Sequence, residues 1–175
     1  MQVVIVSGER GEGKTTFLRK CADELRRRNR TIFGFYAANV KTPDGNEGYR
    51  IYKANSSESL LLCERNASGR GNLKLLDFWF NEQAIKAGEQ WLSEGFKTKS
   101  PLFLLDEAGK FELDGYVWDN IIKKMLRHND GTLLMAVRNR FTERIMEKYG
   151  INKANSRIVN NLLFTVEFIN EIKRG

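Results

Sequence analysis

A single histidine, His128, and two isolated cysteines, Cys21 and Cys63, leave this 175-residue chain without the clustered ligands of a structural zinc site. Two cysteines are also too few for a disulfide scaffold, and they read as small buried apolar residues in a reducing compartment. Proline is equally sparse, at 2 residues, while hydrophobic residues make up 41%, so the chain is neither linker-like nor disordered. The longest apolar runs, residues 3–6, 102–105 and 133–137, fall far short of the roughly 18 residues a membrane span requires. The opening MQVVIVSGER has no basic leader and no cleavage site, so a cytoplasmic protein is expected. The length suits one domain over residues 1–175.

Acidic charge is in deficit. The formal net charge is +7, with 29 Lys and Arg against 22 Asp and Glu. Residues 1–30 carry 8 basic and 4 acidic side chains and residues 138–175 again 8 and 4, whereas residues 31–137 hold 13 and 14. A basic domain invites a nucleic-acid reading. The densest run, Arg26-Arg27-Arg28-Asn29-Arg30, falls at an expected helix end, where cations complement the dipole. If an anionic or nucleic-acid partner exists, the unexplained C-terminal excess is its expected place.

Strand-like and helix-like segments alternate, with no internal repeat. Residues 3–7 form a continuous apolar run that predicts a buried parallel strand, and Phe17, Leu18, Cys21, Ala22 and Leu25 then recur at helical spacing. Residues 31–40 and 48–53, joined by Pro43-Asp44-Gly45, predict a hairpin. Residues 64–72 read as a polar loop, after which residues 73–80 lead into a helix capped by Asn81. Strands are expected at 102–105, 132–137 and 162–168, helices at 116–126 and 141–149, and a tail from 169. The sum is an α/β protein whose sheet is mostly parallel, with an antiparallel hairpin.

Gly8-Glu9-Arg10-Gly11-Glu12-Gly13-Lys14-Thr15 matches G-x-x-x-x-G-K-[ST], the signature of a loop that cradles phosphate. Its glycines let backbone N–H groups converge, Lys14 can reach the β and γ phosphates, and Thr15 can offer its hydroxyl to Mg²⁺. Thr16 is a further candidate contact. The match follows an apolar strand and opens an amphipathic helix, the context the motif demands. The ligand implied is a nucleoside triphosphate.

Such a site needs an acidic residue at the end of a neighbouring buried strand to hold Mg²⁺. Asp106, where the run 102–105 stops, supplies it, although a capping aspartate would sit there too. Glu107 can orient the attacking water, or simply be a solvated strand-end carboxylate. Arg138 ends the 132–137 strand, where a cation can stabilise transferring charge, and a surface arginine is the plainer reading. Asp106-Glu107-Ala108-Gly109 also fits D-x-x-G. The nearest guanine-reading string, Asn152-Lys153-Ala154-Asn155, lacks the required acid and follows no buried strand.

Four stretches together resemble the small P-loop nucleoside-triphosphatases first named from thermophiles. They are GERGEGKTT, GFYAANV with Gly48-Tyr49, LDFWFNEQAIKAGEQWL and LDEAGKFEL. The last is similar to the family's D-E-x-G-K-x-E-L, matched at Asp106, Glu107, Gly109, Lys110, Glu112 and Leu113. The resemblance covers most of residues 1–150. It implies a three-layer RecA-like or AAA-like fold and slow, Mg²⁺-dependent hydrolysis of ATP, GTP and other nucleoside triphosphates. Lys14, Thr15, Asp106 and Glu107 carry over, while residues after Ala136 match no firm family motif.

Two other classes stay open. A kinase would need an acceptor pocket and mobile cations, for which Arg65, Arg70, Arg138 and Arg140 are candidates. A nucleotide-dependent nucleic-acid or protein-binding module would rest on charge alone. A monomer or weak homo-oligomer is expected, and Trp79, Trp91 and Trp118 read as packing residues.

Overall fold

The structure is a computed structural model that describes residues 1–65, 72–164 and 166–172. In chain order its elements are β1 (Gln2–Gly8), α1 (Lys14–Arg27), β2 (Phe33–Lys41), β3 (Glu47–Lys53), β4 (Ser59–Arg65), β5 (Leu73–Leu75), β6 (Phe78–Phe80), α2 (Glu82–Ser93), β7 (Leu102–Ala108), α3 (Lys110–Leu113), α4 (Asp119–His128), β8 (Thr132–Arg138), α5 (Asn139–Tyr149), β9 (Ser156–Val159) and α6 (Val166–Glu171). Among the described residues the strands form one nine-stranded sheet in the order β5-β6-β4-β3-β2-β7-β8-β1-β9.

The apolar runs become strands covered on both faces. In β1, Val3 and Ile5 face one core while Val4 and Val6 face the other, and β7 and β8 divide their side chains in the same way. One core packs under α2, α4 and α5, the other under α1 and α6, giving three layers. Each fully buried Leu, Ile or Phe contributes roughly 1.5–3 kcal/mol. Trp91 and Trp118 lie in the first core. Cys21 and Cys63 are free and buried, and burial pushes both thiols up to about 12.

From β2 to β9 the sheet is parallel, and the β2–β3 hairpin turns it antiparallel as expected. The antiparallel part is larger than the sequence suggested. Glu64 and Arg65 end β4 instead of opening a loop, and residues 73–80 form the β5–β6 hairpin before Asn81 caps α2 through Gln83 N and Ala84 N. β7, the strand that carries Asp106, is also not adjacent to β1, because β8 pairs between them.

The last expected strand is corrected. Among the described residues, 162–164 and 166–168 do not join the sheet; the four-residue β9 does, paired to β1, while α6 lays Phe168 and Ile169 against α1. Phe168 meets Phe17 edge-on, with ring centroids 4.9 Å apart. The alternation Leu162, Phe164, Val166, Phe168 imitates a strand, whereas the buried set Phe168, Ile169, Ile172 has helical spacing. Residues 169–172 are accordingly packed and not a loose tail.

A helix at 166–171 predicts unequal costs for two truncations. Ile169→Ala should lower stability by about 2–4 kcal/mol and Val166→Ala by about 0.5 kcal/mol or less, read from urea midpoints. A strand would make the outcomes depend on the parity of the position, and comparable losses at 166 and 168 with none at 169 would contradict the helix.

Candidate active site

At the end of β1 the chain turns through residues 9–13 into α1, and Gly11 and Gly13 take positive φ values of 86° and 93°. Only such backbone closes the loop tightly enough to point its N–H groups inward. Glu9, Arg10, Gly11 and Glu12 are exposed, while Lys14 is buried. The loop satisfies its own groups. Lys14 Nζ donates to Gly8 O at 2.8 Å and Glu9 O at 2.6 Å, and Glu9 N donates to Glu12 Oε2 at 2.6 Å. Burial lowers the Lys14 pKa, with Glu107 opposing and Arg138 reinforcing the shift.

Asp106 and Glu107 sit at a break in strand pairing. Leu105 pairs with Met135 but Ala108 with Val137, so β7 carries one residue more than β8 over this stretch. Glu107 absorbs the bulge with φ 63°, an uncommon conformation for a non-glycine residue. Bulges of this kind re-aim side chains beside active sites, and backbone strain is characteristic of them. Asp106 Oδ2 accepts from Ala37 N at 3.0 Å, and its buried Oδ1 has no hydrogen-bond partner among the described residues. The Thr15 hydroxyl donates to Ala37 O at 3.3 Å, on the same residue of β2. An orphaned carboxylate oxygen next to a hydroxyl suits a hard divalent cation that shares its shell with substrate phosphates. No group of three His, Cys, Asp or Glu able to hold a metal occurs among the described residues.

Arg138 ends β8 opposite Gly8, and its Nη2 lies 3.6 Å from Glu107 Oε1. The strand inserted between β1 and β7 thus delivers a cation midway between the loop and the acidic pair. Arg10, Gly11, Gly13, Lys14, Thr15 and Thr16 line a cavity of about 220 Å³ with Ala37, Asn39, Tyr49 and Glu107. Gly8 and Glu12 line a neighbouring cavity with Asn139 and Arg140, and neither they nor Glu9 line this one. Asn39 and Tyr49 were not singled out for a role from sequence, yet the register that pairs them places both here. Arg70 lies outside the described residues.

The comparisons with known proteins agree with this geometry. The family model described as NTPase matches residues 3–163. The chain belongs to this NTPase family. It is 30% identical over 140 residues to Nucleoside-triphosphatase THEP1 of Saccharolobus solfataricus, covering 78% of this chain and 75% of that protein. It is 26% identical over 127 residues to the Aquifex aeolicus protein of the same name, covering 70% of each. The crystal structure of THEP1 from Aquifex aeolicus superposes with a TM-score of 0.68 at 17% identity, covering 97% of this chain and 96% of that one. The solution structure of a human cancer-related nucleoside triphosphatase gives 0.69 at 16%, covering 99% and 95%. At these identities the structural likenesses speak for the fold, an α/β P-loop NTPase with a mixed sheet.

In this NTPase, burial and then the charge of Glu107 push the Asp106 carboxyl up to about 7, against the Ala37 N–H, Thr15 and Lys14. An acid whose pKa is raised by folding stabilises below its unfolded value, about 4, and loses that contribution as pH rises through 7. Asp106→Asn should therefore melt above the parent at pH 8 in chelator. The advantage should shrink toward nothing as pH falls from 7 to 4, measured by thermal melts across that range; a gain independent of pH would contradict the buried charge.

Proposed function

We propose that this NTPase is a Mg²⁺-dependent phosphohydrolase that converts nucleoside triphosphates, ATP and GTP included, to the diphosphate and phosphate, with residues 1–175 acting as one domain. The observation that carries the reading is the unpartnered Asp106 Oδ1 beside Thr15, with the bulge holding Glu107 next to the phosphate loop. Free buried thiols accord with a cytoplasmic location.

Residues 8–16 bind the β and γ phosphates through backbone N–H groups and the start of α1. Lys14 Nζ exchanges the carbonyls of Gly8 and Glu9 for phosphate oxygens. Thr15 and Asp106 would hold Mg²⁺, which neutralises charge on the phosphates when bound. Glu107 orients a water toward the γ-phosphorus and accepts its proton. The bond from γ-phosphorus to the bridging oxygen breaks, and the diphosphate departs with that oxygen. Arg138, close to Glu107, offsets charge that builds on the γ-phosphoryl oxygens.

The C-terminal basic excess has structural assignments in part. Arg138 faces Glu107, Lys148 lies 2.8 Å from Asp119, and Arg157 lies 2.8 Å from Glu171. These pairs weaken a reading of that region as a surface held free for nucleic acid.

Purified protein with Mg²⁺ should release phosphate from several triphosphates. Lys14→Ala and Glu107→Gln should each reduce kcat by about 10²-fold or more, and Glu107→Gln should keep triphosphate affinity. Equal release by the parent and both variants would overturn the assignment. Arg138→Ala should lower kcat by about 10- to 10³-fold with little change in KM, since its contribution is made as charge develops; a change in KM alone would reassign it to ground-state binding.

A further inference from the structure

Glu107 and Lys14 also form one wall of a second cavity, of about 240 Å³. A single water nucleophile needs only about 10–15 Å³ of such space. The other walls come from elements the phosphate loop does not use: the β5–β6 hairpin, α3 and the first turn of α5.

Three cations converge on this space: Arg65 from the end of β4, Lys110 from α3 and Arg140 from α5. Among the described residues none of them has a carboxylate partner, in contrast to Arg138, Lys148 and Arg157. Arg65 Nε is buried with no acceptor among the described residues. Aromatic rings hold the two guanidinium groups in place, Arg65 over Phe78 at 5.0 Å and Arg140 over Phe141 at 4.6 Å. The carboxylates of Asp77 and Glu112 also line the cavity but make no ion pair with these cations among the described residues; Glu112 accepts from Gly109 N at 2.7 Å and Trp118 N at 3.4 Å, and burial pushes its carboxyl up to about 7, which lowers the share of it that is charged. Unpaired cations in a concave, partly apolar site concentrate anions, and the guanidinium fork matches phosphate oxygens. Phe78 and Phe111 supply a flat apolar surface beside them.

We propose that this cavity binds a second phosphate-bearing small molecule of the nucleoside monophosphate class. Its phosphate meets Arg65 and Arg140, and its base lies against Phe78 and Phe111. The proposal rests on the phosphohydrolase reading, because the two cavities meet at Lys14 and Glu107, and an occupant here limits access of water to Glu107.

The test is calorimetric titration of the full chain saturated with Mg²⁺ and a non-hydrolysable triphosphate analogue. The probes are the four common nucleoside monophosphates and inorganic phosphate. At least one monophosphate should bind beside the analogue and more tightly than inorganic phosphate. Arg65→Gln/Arg140→Gln should weaken it 10-fold or more while changing analogue affinity less than 2-fold. In the parent the same monophosphate should slow phosphate release without raising KM for the triphosphate. Absent binding, competition with the analogue, equal binding of inorganic phosphate, or undiminished binding by the double variant would each overturn the proposal. Phosphate release without monophosphate binding sinks this inference alone, whereas absence of release in the parent sinks the hydrolase reading.

Discussion

The parallel pairing of β8 with β1 on one side and β7 on the other is the constraint on which the site depends. Gly8 is held level with Arg138, and Val137 with Ala108, so three strand ends reach one edge of the sheet together. Rigid, doubly covered strands set these positions. The residues proposed for the chemistry stand at the ends of these ladders, Arg138 opposite Gly8 and Asp106 and Glu107 in the unpaired step before Ala108, or in the loop that follows β1. The single bulge in β7 is the one adjustment within that frame, and it turns two successive carboxylates toward the loop.

Electrostatic cost is concentrated at the same edge. Asp106 is fully buried, with one oxygen on Ala37 N and the other unsatisfied, and Lys14 is buried with its ammonium on two carbonyls. Neither arrangement is what packing alone would select, since buried charge is favourable only when fully paired. Glu107 adds like charge next to Asp106 and a strained backbone. The surrounding aliphatic strands supply the stability that lets these residues persist.

Much of this was legible in the sequence because short-range chemistry encodes it. The phosphate loop, the helix after it and the apolar run that stops at Asp106 each carry a periodicity or a motif that needs no tertiary context. What escaped was set by contacts distant in the chain. β9 has only four residues, two of them exposed, at a sheet edge, so no apolar run announces it, while the alternation that reads as a strand at 162–168 runs into side chains that pack as a helix from Val166. The β5–β6 hairpin is three residues per strand and reads as a lead into α2. Tyr49 and Asn39 reach the site only through strand register, and Arg65, Lys110 and Arg140 converge from three separate elements. The bulge is invisible too, because it is a mismatch between β7 and β8 and belongs to neither alone.

The closed bonding of the phosphate loop bears on how tightly it can hold anything. Its lysine and two of its N–H groups, those of Glu9 and Glu12, already have partners within the loop, in Gly8, Glu9 and Glu12. An arriving triphosphate must take these groups over, so the net gain is the difference between two sets of bonds, and Glu12 must swing its negative charge out of the way. A resident carboxylate therefore acts as a toll on every anion, small or large. On the proposed reading, a ligand with several phosphates returns more contacts than a single phosphate ion, which favours polyphosphates at this loop.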